Sequence, residues 1–224
     1  MVPRRERRRT AHRQRGQSLR HIQDAFADKG YNLVTNPYKL ERYGVPQARH
    51  RVIVIGICND LDVTHRVPSN ASYADAGVSV RTALTVAPIT EAMTGNEPTR
   101  QSAIVKERLG LIGPGQNVWN ADLPEHLQIK CQTRISQIYC RLHLDQPSCT
   151  VIGSGGGGTH IYHWDEPRAL TNRERAQLQT FPNSYRFVGS KESVRNRIGT
   201  AVPARGARVI FEALLRSFKG EDYA

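Results

Sequence analysis

Several features that define familiar protein classes are missing from this sequence. None of the four cysteines belongs to a Cys-x-x-Cys pair, which argues against a structural zinc site. No apolar run reaches the roughly 18 residues that a membrane-spanning helix needs. The arginine-rich amino terminus is not followed by the apolar stretch of a secretory signal. These absences predict a cytoplasmic protein without a bound metal and without a membrane partner.

Positive charge is what the chain has in excess. The formal net charge is +12 over 224 residues. Eight arginines and one glutamate give residues 1–20 a net charge of +7, so the other 204 residues carry only +5. An excess of this size predicts a polyanionic partner, most commonly nucleic acid. Because residues 1–16 have almost no apolar side chains, they are predicted to form a disordered basic tail.

The apolar pattern predicts an α/β arrangement at the start of the chain. A helix is expected from Ser18 to Lys29, with Gly30 as its end. A strand follows from Tyr31 to Leu40, and Pro37 within it favours an edge position in a sheet. The run from Arg51 to Cys58 is almost entirely apolar, which is typical of a strand that is buried on both faces.

The character of the sequence changes over residues 59–165. This stretch is rich in Gly, Pro, Asn, Ser and Thr, and it predicts a separate, irregular, strand-rich domain. Its clearest helix candidate runs from Ser102 to Leu111. Helices return at the capping box of Thr171 and Glu174 and again after Pro203. The two outer parts of the chain are therefore expected to belong to one domain.

A glycine-rich segment occupies residues 153–158. It satisfies Gly-x-Gly-x-x-Gly, but residues 159–164 after it resemble a strand, whereas a dinucleotide site needs a helix there. The segment is interpreted either as a flexible hairpin turn or as a loop that lets the backbone approach a DNA phosphate closely. His160 and His163 would face opposite sides of that strand, which again argues against a metal site.

Three long polar side chains precede the apolar run that starts at Arg51. In an extended segment alternate residues point the same way, so Gln47, Arg49 and Arg51 would share one face. One interpretation is a solvated edge whose arginines pair with carboxylates. The other is a functional cluster at the end of a strand, where α/β folds place their sites. Spacing alone leaves both open.

Three segments together resemble conserved motifs of the DNA cytosine-5 methyltransferases. The segment Tyr43–Gly56 (YGVPQARHRVIVIG) resembles the eighth motif, with its Gln-x-Arg-x-Arg core. Arg168–Pro182 resembles the ninth motif and Ile198–Pro203 the tenth. Their order and spacing agree with the family, whose variable target-recognition region lies between the eighth and ninth motifs. The resemblance covers roughly residues 17–218.

The resemblance implies a fold and a division of the chain. The fold would be a partial S-adenosylmethionine-dependent methyltransferase domain, Rossmann-like α/β, with a small β-rich target-recognition domain inserted into it. The implied setting is a bacterial or archaeal cytoplasm and a restriction-modification system. The implied segments are a basic tail at 1–16, the end of the catalytic domain at 17–58, the target-recognition domain at 59–165 and a return to the catalytic domain at 166–224.

The resemblance also implies a reaction. The family flips the target cytosine out of the duplex. A cysteine of a Pro-Cys motif attacks C6 of the base, a glutamate of a Glu-Asn-Val motif contacts the ring nitrogen, and S-adenosylmethionine provides the methyl group. By this resemblance Arg51 contacts the flipped cytosine, Arg49 supports the active-site pocket and Gln47 shapes the end of the strand.

Further roles follow from the ninth and tenth motifs and from the recognition region. Arg173 and Glu174 would be structural residues that brace the recognition domain. Thr200 departs from the Asn of many members, which weakens its match to a cofactor contact. The residues that would line the methionine end of the cofactor pocket are Gly199, Thr200, Ala201 and Val202. The predicted DNA contacts, each of which alternatively touches only phosphate or solvent, are Arg134, Gln137, Arg141, Gly155, Gly156 and Thr159.

The chain lacks the family's other motifs. It contains no Pro-Cys, no Glu-Asn-Val and no Phe-x-Gly-x-Gly cofactor loop. The 224 residues are therefore predicted to be inactive alone. Three interpretations stay open: a truncated methyltransferase, a subunit of a split enzyme whose partner chain supplies the missing motifs, or a DNA-binding module without catalysis. Residues 1–15 are interpreted either as out-of-frame translation or as a basic arm for DNA or a partner.

Overall fold

The chain divides into two compact units. The structure is a computed structural model that describes residues 17–74, 78–85, 88–90, 92–130, 135–153 and 159–221. Of these, residues 17–38, 51–69 and 210–221 form the first unit, and the described parts of 39–50 and 70–209 form the second. Of the helices in these residues, none combines the length and the apolar character needed to span a membrane. The functional division at residues 58 and 165 stays a prediction, as does the tail, which lies outside the described residues.

The first unit contains the two strands that the apolar pattern predicts. Helix α1 covers residues 17–27, and Gly30 follows it with a φ of +80°, a conformation that glycine adopts without steric cost. Strand β1 runs over Tyr31–Lys39 and strand β2 over His50–Cys58. The Gln23 side chain donates a hydrogen bond to Thr35 Oγ1 at 2.9 Å, which joins α1 to β1.

The two strands form an antiparallel pair, and most of their residues are exposed or half-buried. Asn59 N–H donates to Gly30 O at 2.9 Å at one end, and Leu40 N–H donates to Arg49 O at 3.0 Å at the other. The prediction that β2 is buried on both faces is wrong, because Val52 is 57% exposed and most of the strand is not buried. Such burial needs a wider sheet with helices on both sides, whereas the described residues form a sheet of only two strands.

The second unit is built from helices around two hydrophobic clusters. Its helices are α2 (Val80–Thr85), α3 (Ala103–Leu111), α4 (Asn172–Leu178), α5 (Lys191–Thr200) and the first part of α6 (Ala204–Lys219). The first cluster joins α2, α4 and α5 and contains Val80, Leu142, Val151, Ile161, Leu170, Ala176, Leu178, Val194 and Ile198. The second lies around α3 and contains Leu109, Ile112, Val118, Leu123, Leu127, Ile138, Tyr139, Tyr162 and Ala169.

The predicted strand-rich character of residues 59–165 is wrong for the part of this range that the structure describes. There the chain forms α2, α3 and short 3-10 helices at Asn59–Leu61, Ala71–Tyr73 and Glu125–Leu127. Its extended contacts are isolated bridges such as the one between Arg141 and Tyr162. Several carbonyls in this range accept hydrogen bonds from arginine side chains and not from a strand ladder, as Leu109 O and Ile112 O do from Arg141 and Leu127 O does from Arg108.

The helix boundaries agree with the capping signals in the sequence. The helix candidate after Ser102 is confirmed as α3. At α4, Thr171 Oγ1 accepts from Glu174 N–H at 3.1 Å, while the Glu174 carboxylate accepts from Thr171 N–H at 2.7 Å. The chain leaves α4 at Thr180, where φ is +60°. Helix α6 begins directly after Pro203, as predicted.

We expect Thr171→Ala to lower the free energy of unfolding by about 1 to 2 kcal/mol, because the buried first turn of α4 loses its cap. Ser102→Ala is the matched control, since Ser102 holds the N-cap position of α3 but makes no side-chain cap hydrogen bond. That control should change stability by less than about 0.5 kcal/mol. Urea denaturation of both variants measures the difference, and equal losses would contradict the assignment.

Candidate functional site

Gln47 lies in a buried extended segment that is paired with residues 148–151. Ala48 N–H donates to Ser148 O at 2.8 Å, and Ser148 N–H donates to Pro46 O at 3.0 Å. The Gln47 side chain has no exposed surface. Its Oε1 accepts from Val151 N–H at 2.8 Å, and its Nε2 donates to Leu178 O at 3.4 Å. Gln47 therefore joins this segment to the end of α4.

Arg49 is buried one step further along the same segment. It is 3% exposed, and its guanidinium donates to Val151 O and to Gly199 O, each at 3.1 Å. The backbone N–H of Arg49 donates to the Glu41 carboxylate at 3.2 Å. Because a guanidinium presents its donors in a fixed planar fork, Arg49 holds the two carbonyls at a set separation.

These bonds bring three distant segments of the sequence together. We call the set Gln47, Arg49, Val151, Leu178 and Gly199 the Val151 junction. It connects the Gln-x-Arg-x-Arg segment with the end of α4 and the end of α5. A further bond, from Gln179 Nε2 to Ile198 O at 2.7 Å, links the two helices directly. Residues 47–49 of the eighth-motif-like segment and the two later motif-like segments therefore form one framework in the second unit.

At Gly199 the backbone of α5 lies directly against the backbone of residues 152–153. A Cβ at this position would lie 1.9 Å from Gly153 N and 2.2 Å from Ile152 C, so a side chain cannot be accommodated without moving the backbone. Gly199 is thereby assigned to packing against residues 152–153. Thr200 is exposed, its hydroxyl donates to Asn196 O at 3.0 Å, and Val202 is 55% exposed.

Arg51 is placed differently from Gln47 and Arg49. It lies on β2 in the first unit, and its side chain is exposed. The structure thus brings Gln47 and Arg49 together at the Val151 junction, which does not include Arg51. The predicted contact between Arg51 and a flipped base stays a prediction.

Arg173 and Glu174 both form hydrogen bonds within the second unit. Arg173 is 1% exposed, donates to Thr94 O at 2.7 Å and to Tyr185 O at 2.8 Å, and stacks on the Phe187 ring at 4.8 Å. Glu174 accepts two hydrogen bonds of 2.8 Å from the Arg168 guanidinium, and this contact raises the pKa of Arg168. Both residues stabilise the framework around α4, and their bracing of a recognition domain stays a prediction.

Arg175 is buried in the framework, although its position in the sequence alone does not predict this. It is 1% exposed, and its guanidinium lies 3.1 Å from His160 Nδ1. Burial first, and then the charge of Arg195, lowers the pKa of Arg175 to about 10. Burial, followed by the neighbouring cations, lowers the pKa of His160 to about 4. His160 is therefore neutral near pH 7 and accepts the hydrogen bond from Arg175. The sequence signal for a buried Arg175 is weak: α4 carries two arginines, at residues 173 and 175, within one short predicted helix.

Arg141 requires a correction to its predicted role. It is 6% exposed, and burial lowers its pKa. Its guanidinium donates to four backbone carbonyls: Leu109 O at 2.9 Å, Ile112 O at 2.7 Å, His163 O at 2.9 Å and Trp164 O at 2.6 Å. Because these bonds occupy the guanidinium, we reassign Arg141 from DNA contact to the internal framework.

The other predicted DNA contacts fall into two groups. Gln137 is half-buried, and its Nε2 donates to Thr150 O at 3.4 Å. Thr159 is also half-buried. The roles of these two residues stay predictions. The remaining candidates, Arg134, Gly155 and Gly156, lie outside the described residues.

Comparison of the sequence with known proteins agrees with the motif resemblance. The family model described as C-5 cytosine-specific DNA methylase matches residues 8–216. The Type II methyltransferase M.BbvI of Brevibacillus brevis is 54% identical over 198 residues, which is 87% of this chain and 51% of that protein. The Type II methyltransferase M.NgoFVII of Neisseria gonorrhoeae is 37% identical over 205 residues, 90% of this chain and 54% of that protein. The chain thus spans about half the length of the curated relatives it matches.

Solved structures show a similar fold at low sequence identity. One is a prophage-encoded protein of E. coli described as a DNA modification methyltransferase, with a TM-score of 0.66 and 19% identity over 90% of this chain and 65% of that one. Another is the S. pombe Dnmt2 methyltransferase, with a TM-score of 0.55 and 14% identity over 90% of this chain and 62% of that one. The mixed helix and strand architecture of this chain is therefore shared with parts of these two structures.

Proposed function

Since this chain belongs to the C-5 cytosine-specific DNA methylase family, we propose that it is the carboxy-terminal part of a DNA cytosine-5 methyltransferase of a restriction-modification system. The enzyme would transfer a methyl group from S-adenosylmethionine to C5 of cytosine within a specific duplex sequence. The observation that carries this proposal is the Val151 junction, where the segments resembling the eighth, ninth and tenth motifs meet through Gln47 and Arg49.

The two arginines of the Gln-x-Arg-x-Arg core are proposed to have different tasks. Arg49 supports the active-site pocket, since its guanidinium donates hydrogen bonds to two buried carbonyls. Arg51 contacts the flipped cytosine, and the support for this role is its motif position and its exposed side chain. Gln47 fixes the strand end through Val151 and Leu178.

The proposed cofactor contact is narrower than the resemblance alone implies. Thr200, Ala201 and Val202 fit a pocket lining because they lie at the end of α5 and directly after it, with exposed or half-buried side chains. Gly199 does not fit this role, because the backbone of residues 152–153 already fills the space beside it. When bound, S-adenosylmethionine supplies the electrophilic methyl group, while these three residues would shape and shield one side of its site.

We further propose that the 224 residues do not catalyse methyl transfer alone. They contain no Pro-Cys nucleophile, and Cys149 follows serine in a Pro-Ser-Cys sequence. The cysteine, the glutamate and the cofactor loop would come from polypeptide outside these 224 residues, for example from a partner chain. The first unit supports such a partner, because Val52 on β2 is 57% exposed and Phe211 and Leu215 on α6 are 64% and 61% exposed. Apolar surface of this kind favours association.

Residues 59–165 are proposed to recognise the target DNA sequence. Gln137 and Thr159 are the candidates for DNA contact among the described residues, and an amide or hydroxyl can pair with a base edge or with a phosphate. A DNA-binding module without catalysis is the second candidate function. The net charge of +12 together with the missing nucleophile favours it.

A methyl-transfer assay tests the proposed function. The chain is mixed with unmethylated duplex DNA and labelled S-adenosylmethionine, with and without the amino-terminal half of the Brevibacillus brevis relative as the complementing polypeptide. We expect label in DNA only when both polypeptides are present, because the nucleophile and Arg51 then belong to one active site. Each polypeptide alone is the control.

The other outcomes distinguish the alternatives. Label transferred by the chain alone would show that a nucleophile is present and would refute the central proposal. No label from the mixture, together with tight duplex binding by the chain alone, would favour the DNA-binding module. A gel-shift titration at several salt concentrations measures that binding, since contacts to phosphate weaken as salt rises.

A further inference from the structure

A pair of thiols lies close together in the second unit. Cys140 Sγ and Cys149 Sγ are 3.8 Å apart, and both side chains are half-buried free thiols. We propose that Cys140 and Cys149 form a dithiol modification site, which a small-molecule disulfide such as oxidised glutathione converts into an intramolecular disulfide bond. The proposal rests on this geometry and does not depend on the proposed methyl-transfer function.

The backbone around both cysteines is held by hydrogen bonds to neighbouring segments. Cys140 O accepts from Tyr162 N–H at 3.0 Å. Cys149 is flanked by Ser148 and Thr150, and the Thr150 hydroxyl donates to Ala48 O at 2.6 Å. A disulfide bond needs the sulfur atoms at about 2 Å, so each needs to move by only about 1 Å, within the reach of side-chain rotation. Two thiols held in this way meet each other far more often than thiols on mobile segments.

The two thiols differ in a way that sets the order of reaction. The side-chain hydrogen bond between the two thiols lowers the pKa of Cys140, whereas the same hydrogen bond and burial raise the pKa of Cys149. Since the thiolate is the nucleophile, Cys140 attacks one sulfur of the external disulfide and expels the first small thiolate. The product at this stage is a mixed disulfide on Cys140.

The second step closes the ring. Cys149 loses its proton to solvent, and its sulfur attacks Cys140 Sγ and expels the second small thiolate. The protein gives up two protons and two electrons in total, and the external disulfide is reduced to two thiols. No metal or further oxidant is needed for this balance.

The location gives the modification a structural consequence. Cys149 lies between Ser148 and Thr150, which form hydrogen bonds with the extended segment that contains Gln47. Val151 of the Val151 junction is the residue after Thr150. A bond from Cys149 to Cys140 would tether residues 148–151, which pair with the Gln47 segment, to the residues around Arg141. The disulfide form should therefore unfold at a higher temperature than the dithiol form.

Thiol counting and peptide mapping on the full native chain test the proposal. After incubation with excess oxidised glutathione, we expect the free thiols to fall from four to two per chain. Trypsin cleaves after Arg141, which separates the two cysteines, so the bond appears as a linked pair of peptides covering residues 135–141 and 142–168. Mass spectrometry without reduction identifies this pair, and reduction releases it.

Variants give an independent check on the order of reaction. Cys149→Ser should stop at the first step and retain one glutathione on Cys140, while Cys58→Ser, a control in the first unit, should form the bond as the wild-type chain does. Bonds to Cys58 or Cys131, or glutathione on every cysteine without a link, would overturn the proposal. The same holds if the bond forms only in the urea-unfolded chain. The wild-type map decides the matter even if a variant fails to fold.

Discussion

Arg141→Met is expected to be the most destabilising single substitution proposed for this chain, with a loss of at least about 4 kcal/mol of unfolding free energy. The guanidinium donates to carbonyls of Leu109, Ile112, His163 and Trp164. Methionine retains much of the side-chain volume but offers no donor. The carbonyls of Ile112, His163 and Trp164 then lose this partner at about 1 to 3 kcal/mol each, and Leu109 O, which still accepts from Ile112 N–H, loses one of two donors at about 1 kcal/mol. Since small domains have total stabilities of about 5 to 15 kcal/mol, the second unit could unfold outright. Urea denaturation followed by tryptophan fluorescence measures the loss.

Arg100→Met is the matched control for this experiment. It removes the same charge from an exposed position in the second unit and should change stability by less than about 0.5 kcal/mol. If Arg141→Met were as stable as this control but bound duplex DNA more weakly, Arg141 would be a DNA contact after all. The two measurements therefore separate a framework role from a recognition role.

Elements controlled by local interactions could be predicted from the sequence. Thr171 and Glu174 satisfy each other within one helical turn, so the start of α4 is specified by residues three apart. The start of α6 after Pro203 and the positive φ of Gly30 have equally local causes. Strands β1 and β2 were both predicted, β2 from its apolar run, although the burial of each depends on residues elsewhere.

Residues 59–165 could not be predicted in the same way, because distant contacts determine their structure. Arg141 looked like a surface cation, yet it binds carbonyls up to 32 residues away in the sequence. Helix α5 was missed because its sequence is mostly polar. It contributes Val194 and Ile198 to the core and packs Gly199 against the backbone at residue 153. No pattern within ten residues contains that information.

The environment of the candidate site residues also depends on residues that are distant in the sequence. The alternation of Gln47, Arg49 and Arg51 predicted a shared face, but not which side chain would be buried. That is decided by Val151 and Gly199, which lie 102 and 150 residues further along the chain from Arg49. The sequence therefore identified the segment as a candidate site, and tertiary packing gave its two arginines different environments.

Arg49→Met is the second substitution with a large expected effect, a loss of about 3 kcal/mol of unfolding free energy. It removes the donors to Val151 O and Gly199 O, both of which lie in buried backbone. Arg49→Lys should fall between the wild type and Arg49→Met, because one ammonium group cannot reproduce the planar fork that reaches two carbonyls. Urea denaturation of the full chain measures both variants.

Arg51→Met is the natural control, because it removes the neighbouring arginine of the same motif from an exposed position. We expect its stability to stay within about 0.5 kcal/mol of the wild type. In the two-polypeptide methyl-transfer assay, however, it should lose activity, since Arg51 is the proposed contact to the cytosine. A stable, inactive Arg51→Met beside an unstable Arg49→Met would separate pocket support from base contact. If Arg49→Met were stable and Arg51→Met unstable, the buried Val151 junction would not be what holds the three motif segments together.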